Sequence, residues 1–301
     1  MARIGFALAF VAAAIATVNA APTPELHARQ SITSLSTAQV SAFKPYTFYA
    51  ASAHCSASVT INWSCASCQH NPTFKPVASG GDGDLTQFWY VGYDPTLKTV
   101  IVGHQGTDTS KLLPILTDGD IIMEDLDSSL FPGISSSVKV HQGFAATQSR
   151  SAPDVLAAVQ KTISQFGANH VTIVGHSLGA AIALLDSVYL PLHLPSGITF
   201  KTVGYGMPRV GNQAFADYVD AHVTNLNHIN NKHDPVPIVP GRFLGFHHPS
   251  GEIHIGEDSV WSACPGQDNT SDLCEIGSTP NLFDSDADDH SGPYDGVFQT
   301  C

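Results

Sequence analysis

Apolar positions recur along the chain with two different periods. Val171, Thr172, Ile173 and Val174 make a β-branched run that reads as a buried strand. Leu178 to Leu190, carrying Ala180, Ala181, Ala183, Leu184 and Leu185, reads as a helix. Upstream, Val40, Phe43, Phe48 and Tyr49 stand at roughly helical spacing within Ser36 to Ala53, and Pro45 divides that stretch. Gly80 to Asp84 reads as a loop. Thr86 to Tyr93 and Thr99 to His104 read as two strands of a hairpin closed by Asp94-Pro95-Thr96-Leu97-Lys98. Ser151 to Asp154 predicts a helix start, with Ser151 as cap and Pro153 in the first turn. Val155, Leu156, Val159, Ile163 and Phe166 form its apolar stripe, and Gly167 closes it. Thr199 to Tyr205 is a further strand, Asn212 to His222 a helix and Asn225 to Ile229 a strand. This alternation predicts an α/β fold with a mostly parallel central sheet and helices on both faces.

The 301 residues, 43% of them hydrophobic, suffice for one sizeable core, and no composition shift or linker divides them. Residues 31–301 are therefore expected to form one domain. Arg3, the apolar run Ile4 to Val18 and the small-residue site Val18-Asn19-Ala20 predict a signal peptide over residues 1–20. The run is short for a membrane span. Residues 21–30, polar and Pro-containing up to Arg29, read as a propeptide. No later segment is apolar enough to cross a membrane, so the mature chain is expected to be secreted and to act as a monomer. Thirteen basic against 26 acidic residues give a formal charge of −13, with no Lys/Arg run, which argues against nucleic acid and anionic membrane surfaces as partners.

Six cysteines in an exported chain point to three disulfides. Fifteen pairings exist; Cys65 lies close to Cys68, Cys264 and Cys274 flank one loop, and Cys55 with Cys301 would tie the first helix to the C-terminus. No second pair stands at ligand spacing from Cys65-Ala-Ser-Cys68, and no metal or cofactor is read. Asp284, Asp286 and Asp288 are spaced like the start of an EF-hand loop, but Asp289 occupies the position that needs glycine. Asn62 and Asn269 begin glycosylation sequons.

Val174-Gly175-His176-Ser177-Leu178-Gly179, between a predicted strand and helix, has the Gly-x-Ser-x-Gly form that exposes a serine nucleophile on a sharp turn. A base and an acid must follow. Asp186, Asp217 and Asp220 fall in predicted helices and read as solvated. Asp234, in Asp234-Pro235-Val236-Pro237 after the strand ending at Ile229, is the candidate acid. For the base, His247, His248 and His254 read as surface positions on an edge strand. His290 lies in an acidic loop near the C-terminus and leads narrowly on position alone. The N–H of Leu178, with that of Thr107 in Gly103-His104-Gln105-Gly106-Thr107-Asp108, would form an oxyanion hole. Leu112, Leu113, Pro114, Ile115 and Leu116 then read either as a buried helix or as an apolar lid over the serine.

Together, Gly106-Thr107, Val140-His141-Gln142-Gly143-Phe144, the elbow, Tyr205-Gly206-Met207-Pro208-Arg209-Val210-Gly211-Asn212 and Asp234-Pro235-Val236-Pro237 resemble the secreted fungal lipases of the Rhizomucor and Thermomyces type, the lipase (class 3) family. The resemblance implies the α/β-hydrolase fold, His290 as base, an oxyanion hole of Thr107 and Leu178, a lid after Thr107 and a first-to-last disulfide consistent with Cys55 and Cys301. It places His248-Pro249-Ser250-Gly251-Glu252 on a non-catalytic strand. The lid lacks the family's frequent Trp, and His290 lacks its usual aromatic flanks. The sequence is most similar to the basidiomycete yeast branch, some members of which prefer partial glycerides. The expected activity is hydrolysis of acylglycerol at a lipid–water interface. A feruloyl or other wall-directed esterase on the same fold is the alternative, and a lipid-binding protein with a dead site is disfavoured by the complete Ser, Asp and His set.

Overall fold

The β-branched runs form the middle of a nine-stranded sheet in a computed structural model that describes Met1 and residues 31–107, 109–117 and 121–301. The predicted signal peptide, Met1 aside, and the predicted propeptide lie outside the described residues. Across the sheet the strands run Lys75–Gly80, Trp89–Asp94, Thr99–His104, His170–His176, Thr199–Tyr205, Leu226–Asn231, Glu252–Ile255, Trp261–Cys264 and Thr33–Ser34. Neighbours from Thr99–His104 to Glu252–Ile255 pair in parallel, and the outer strands pair antiparallel.

Alternation along the strands builds two cores. Val100, Val102, Val171 and Ile173 share one with Val155 and Val159 of the helix Gln142–Phe166 and with Ile182 and Leu185 of the helix Leu178–His193. Ile101, Val174, Val203 and Tyr205 share the other with Tyr49, Ala50 and Trp63. Helices thus cover both faces, and the mixed sheet is that of an α/β hydrolase. Four short strands, Met123–Asp125, Lys139–His141, Gly211–Asn212 and Phe246–His247, make a second, antiparallel sheet.

Two local expectations are corrected. The helix expected from Ser151 starts nine residues earlier at Gln142, and Pro153 lies inside it. An interior proline costs about 3 kcal/mol, but the stripe continues upstream through buried Phe144 and Gln148, and the real cap is His141, whose Nδ1 accepts from the N–H groups of Gly143 and Phe144. Burial holds the His141 pKa down at about 4, which preserves the accepting lone pair. Glu252–Ile255 is an interior strand, not an edge. The structure adds a strand at Lys75–Gly80 that no sequence pattern marks, because its Pro76 and small residues carry no β-branched run; an outermost strand tolerates both.

The stretch Ser36 to Ala53 forms two helices, Thr37–Ser41 and Lys44–Ser52, with Pro45 in the first turn of the second. Disulfides join Cys55 to Cys301, Cys65 to Cys68 and Cys264 to Cys274. The first ties the end of the second helix to the C-terminus. Among the described residues no helix is long and apolar enough to cross a membrane.

Gly167 ends its helix at φ 63°, and a Cβ there would meet nothing within 4 Å. Gly167→Ala therefore adds only left-handed backbone strain, and chemical denaturation should show a loss of about 1 kcal/mol with the denaturant slope unchanged.

Candidate active site

Ser177 joins the strand His170–His176 to the helix Leu178–His193 at φ 60°, ψ −129°. A non-glycine residue held there costs on the order of 1–3 kcal/mol. Both flanks fix it. Its N–H donates to the Tyr205 carbonyl at 2.8 Å, and Gly179 packs so tightly on the neighbouring strand that a Cβ would come within 2.2 Å of the His104 carbonyl oxygen. The turn delivers the hydroxyl at the carboxyl end of the strand. Leu178, buried beside it, heads the helix with its N–H at the positive end of the helix dipole.

Asp234 and His290 are brought together from sequence positions 56 apart. His290 Nδ1 lies 2.9 Å from Asp234 Oδ1 and 2.8 Å from Oδ2, and the Val236 N–H donates to Oδ1 at 2.8 Å. The His290 ring stands 4.4 Å, centroid to centroid, from that of His176, the residue before the serine. Ser177 and Asp234 are 0% exposed and His290 1%. Among the described residues Ser177 Oγ and His290 Nε2, both buried, have no hydrogen-bond partner, so they are not bonded to each other. The main chain around His290 is held by groups with no motif of their own. Asn231 Nδ2 donates to the Asp289 carbonyl at 2.9 Å, and Tyr294 Oη donates to the His290 carbonyl at 3.1 Å. Only their nearness to Asp234 and His290 in sequence could have drawn attention to them.

The loop after Thr99–His104 is pinned by Gln105, whose N–H donates to the Phe88 carbonyl at 2.9 Å and whose Oε1 accepts from the Phe88 N–H at 2.8 Å. A Cβ on Gly106 would lie 2.9 Å from Ser177 Cβ, so this loop rests on the serine and half-buried Thr107 follows directly. Next comes the helix Thr109–Thr117. Leu112 and Leu116 are buried in the same apolar cluster as Leu178; Leu113 is half-buried, and Pro114 and Thr117 are exposed. The run thus turns two leucines, four positions apart, inward.

A profile of the family described as lipase (class 3) matches residues 100–244. A secreted mono- and diacylglycerol lipase of Malassezia globosa is 35% identical over 70% of this chain and 72% of its own length. One of Malassezia restricta is 33% identical over 78% and 82% respectively. The chain belongs to the lipase (class 3) family. It is a carboxylic ester hydrolase. The solved structure of lipase II from Rhizopus niveus superposes with a TM-score of 0.76 at 27% identity, covering 90% of this chain and all of that one.

This class 3 lipase departs from the sequence reading in its other ionisable residues. Asp186, expected to be solvated, is buried, with Oδ2 2.8 Å from His104 Nε2 and Oδ1 accepting from Gln148 Nε2 at 2.8 Å. His248 and His254, expected at the surface, are buried too, and His247 is half-buried. His248 Nε2 donates to the Pro237 carbonyl at 2.8 Å, and burial, with His228 next, pushes its pKa down to about 3. The uncharged ring props the loop that follows Asp234. Of the two sequon asparagines, Asn62 is exposed, whereas Asn269 is half-buried with its amide donating to the Pro265 carbonyl at 2.9 Å.

Beside Asp234 the lipase buries two more carboxyl groups. Glu252 Oε1 accepts from the Glu275 N–H at 2.7 Å, and the Glu275 carboxyl is fully buried. Burial pushes the Glu252 pKa up to about 7; burial first, then Asp234 and Glu252, push that of Glu275 well above the ordinary range. His254 Nε2 lies 3.7 Å from Glu275, but burial lowers the His254 pKa, so this contact is not an ion pair at neutral pH.

A carboxyl group whose folded pKa is raised favours folding fully below its unfolded value of about 4.5, and that contribution is lost as pH rises toward the folded value. The buried histidines, whose lowered pKa values act in the opposite sense, are common to wild type and variant, so the contribution of Glu275 appears in the difference between their denaturation midpoints. Glu275→Gln should match the wild type at pH 4.5 and exceed it at pH 8; equal pH slopes in the two proteins would contradict the buried neutral acid.

Proposed function

We propose that this chain is a secreted lipase that hydrolyses acylglycerol esters at a lipid–water interface through an acyl-enzyme on Ser177. His290 Nε2 takes the hydroxyl proton as Ser177 Oγ attacks the ester carbonyl. Asp234 keeps the ring protonated at Nδ1 and stabilises the imidazolium. The N–H groups of Thr107 and Leu178 donate to the oxyanion. The alcohol leaves with the proton from His290, and water attacks the acyl-enzyme by the same route to free the fatty acid. The observation that carries this reading is the Asp234–His290 pair, whose outer nitrogen makes no hydrogen bond among the described residues, together with a strained buried serine whose hydroxyl makes none there either.

The names of the Malassezia relatives support acylglycerols as substrates, partial glycerides included, and export from the cell. Removal of a signal peptide after Ala20 and of a propeptide up to Gln30, a single catalytic domain over residues 31–301, glycosylation at Asn62 and Asn269 and a monomeric state belong to the same proposal. With Ser177 fully buried, substrate entry requires a displacement, and the helix carrying Leu112 to Leu116 is the proposed lid. A cleft of about 520 Å³ next to it is lined by Leu116, Ile238, Phe243, Ile276, Leu282 and Phe283. Phe283 is 99% exposed and Phe243 89%, an apolar rim that favours a lipid surface over the soluble phenolic esters of the alternative reading.

Rates on a soluble short-chain ester, emulsified diacylglycerol and emulsified triacylglycerol test these points. Ser177→Ala should lose about 10⁴-fold or more in kcat/KM on all three while melting as the wild type does; substantial residual activity would overturn the mechanism. Phe243→Ser with Phe283→Ser should lower the emulsion rates severalfold more than the soluble-ester rate. Equal losses on both kinds of substrate would favour the wall-directed esterase.

A further inference from the structure

Two histidines outside the proposed triad lead to its histidine, His176 touching it and His54 touching His176. His176 Nε2 lies 2.8 Å from the His290 carbonyl oxygen, and His176 Nδ1 lies 3.3 Å from His54 Nε2. A carbonyl oxygen only accepts, so His176 Nε2 carries the hydrogen. Burial, with His290 and His54 adding to it, holds the His176 pKa well below the ordinary range, so the ring is neutral and its Nδ1 bears a lone pair. His54, held at about 4 by burial and then by His290, is neutral as well. Its Nε2 must be the donor to His176.

The tautomer of each ring is thus dictated by the next. The chain starts at a covalently fixed place, since Cys55, adjacent to His54, is bonded to Cys301. It ends on the main chain of the residue whose side chain Asp234 grips at Nδ1. We infer that His54 and His176 are positioning residues, an ordered pair of hydrogen bonds that sets the main chain of His290 and thereby aims its Nε2 at Ser177. Neither ring exchanges a proton with substrate. Tyr294 Oη is a second donor to the same carbonyl, so losing one donor shifts His290 rather than releasing it. The inference rests on the proposed role of His290 as base.

Amide side chains test it, because glutamine places its nitrogen near the position of a histidine Nε2 and asparagine near that of Nδ1. On a soluble short-chain ester, where no interface intervenes, His176→Asn should lose about tenfold or more in kcat with KM changed less than about twofold, since one hydrogen bond to the catalytic loop is gone. His176→Gln should restore most of that rate. His54→Asn should lose a few-fold, His54→Gln less, and His54→Asn should cost nothing further in the His176→Asn background, because it acts through His176. Equal losses for asparagine and glutamine at position 176, a loss that appears in KM, or additive losses at 54 and 176 would overturn the inference. Melting temperatures within a few degrees of wild type identify the variants that fold; should the position-176 variants fail, the contrast between glutamine and asparagine at position 54 carries the same test. Activity retained by His290→Ala would instead overturn the reading of His290 as base.

Discussion

The structure depends on the close approach of one strand to one helix. Gly179 lies against the His104 carbonyl, and this contact forces Ser177 into a backbone conformation that non-glycine residues rarely adopt. The consequences spread outward. The strand bearing His104 leads into the loop that rests on the serine, and Asp186, itself held by Gln148, holds the His104 side chain from the helix side. A larger residue at position 179 would separate strand from helix and dissolve this arrangement together with the serine's strain.

Burial is the second constraint, and it acts on polar groups. Ser177 Oγ and His290 Nε2 lack hydrogen-bond partners among the described residues, and an unsatisfied buried polar group costs about 1–3 kcal/mol. In the proposed mechanism an ester and its oxyanion would relieve that cost once the covering helix has moved, which favours the occupied site over the empty one. The same dryness keeps His54, His141, His176 and His248 neutral, so that ring nitrogens serve as fixed donors and acceptors. It also leaves Glu275 neutral beside Asp234, a site where stability is traded away as pH rises.

Much of the fold was legible because its central strands are buried on both faces and therefore read as unbroken β-branched runs, as at Val171 to Val174. The elbow was legible as a local pattern of glycines. Asp234 could be singled out by its proline-fixed turn after a strand, but the choice among histidines drew on family resemblance, since no local rule distinguishes His290 from His248. What stayed hidden was set by tertiary context. Pro153 reads as a helix start and is overridden by the apolar stripe that continues through Phe144; Glu252 to Ile255 reads as an edge until Trp261–Cys264 covers it. His54 gives no sign in the sequence, because its partner lies 122 residues away.

The central claim, that Ser177 is a nucleophile driven by the Asp234–His290 pair, is tested most directly by covalent trapping. The purified protein would be treated with an alkylphosphonate ester and the labelled peptide identified by mass spectrometry. One phosphonyl group on Ser177, with labelling at least about a hundredfold slower in His290→Ala, is the predicted result. Labelling at another residue, or an undiminished rate in His290→Ala, would contradict the account.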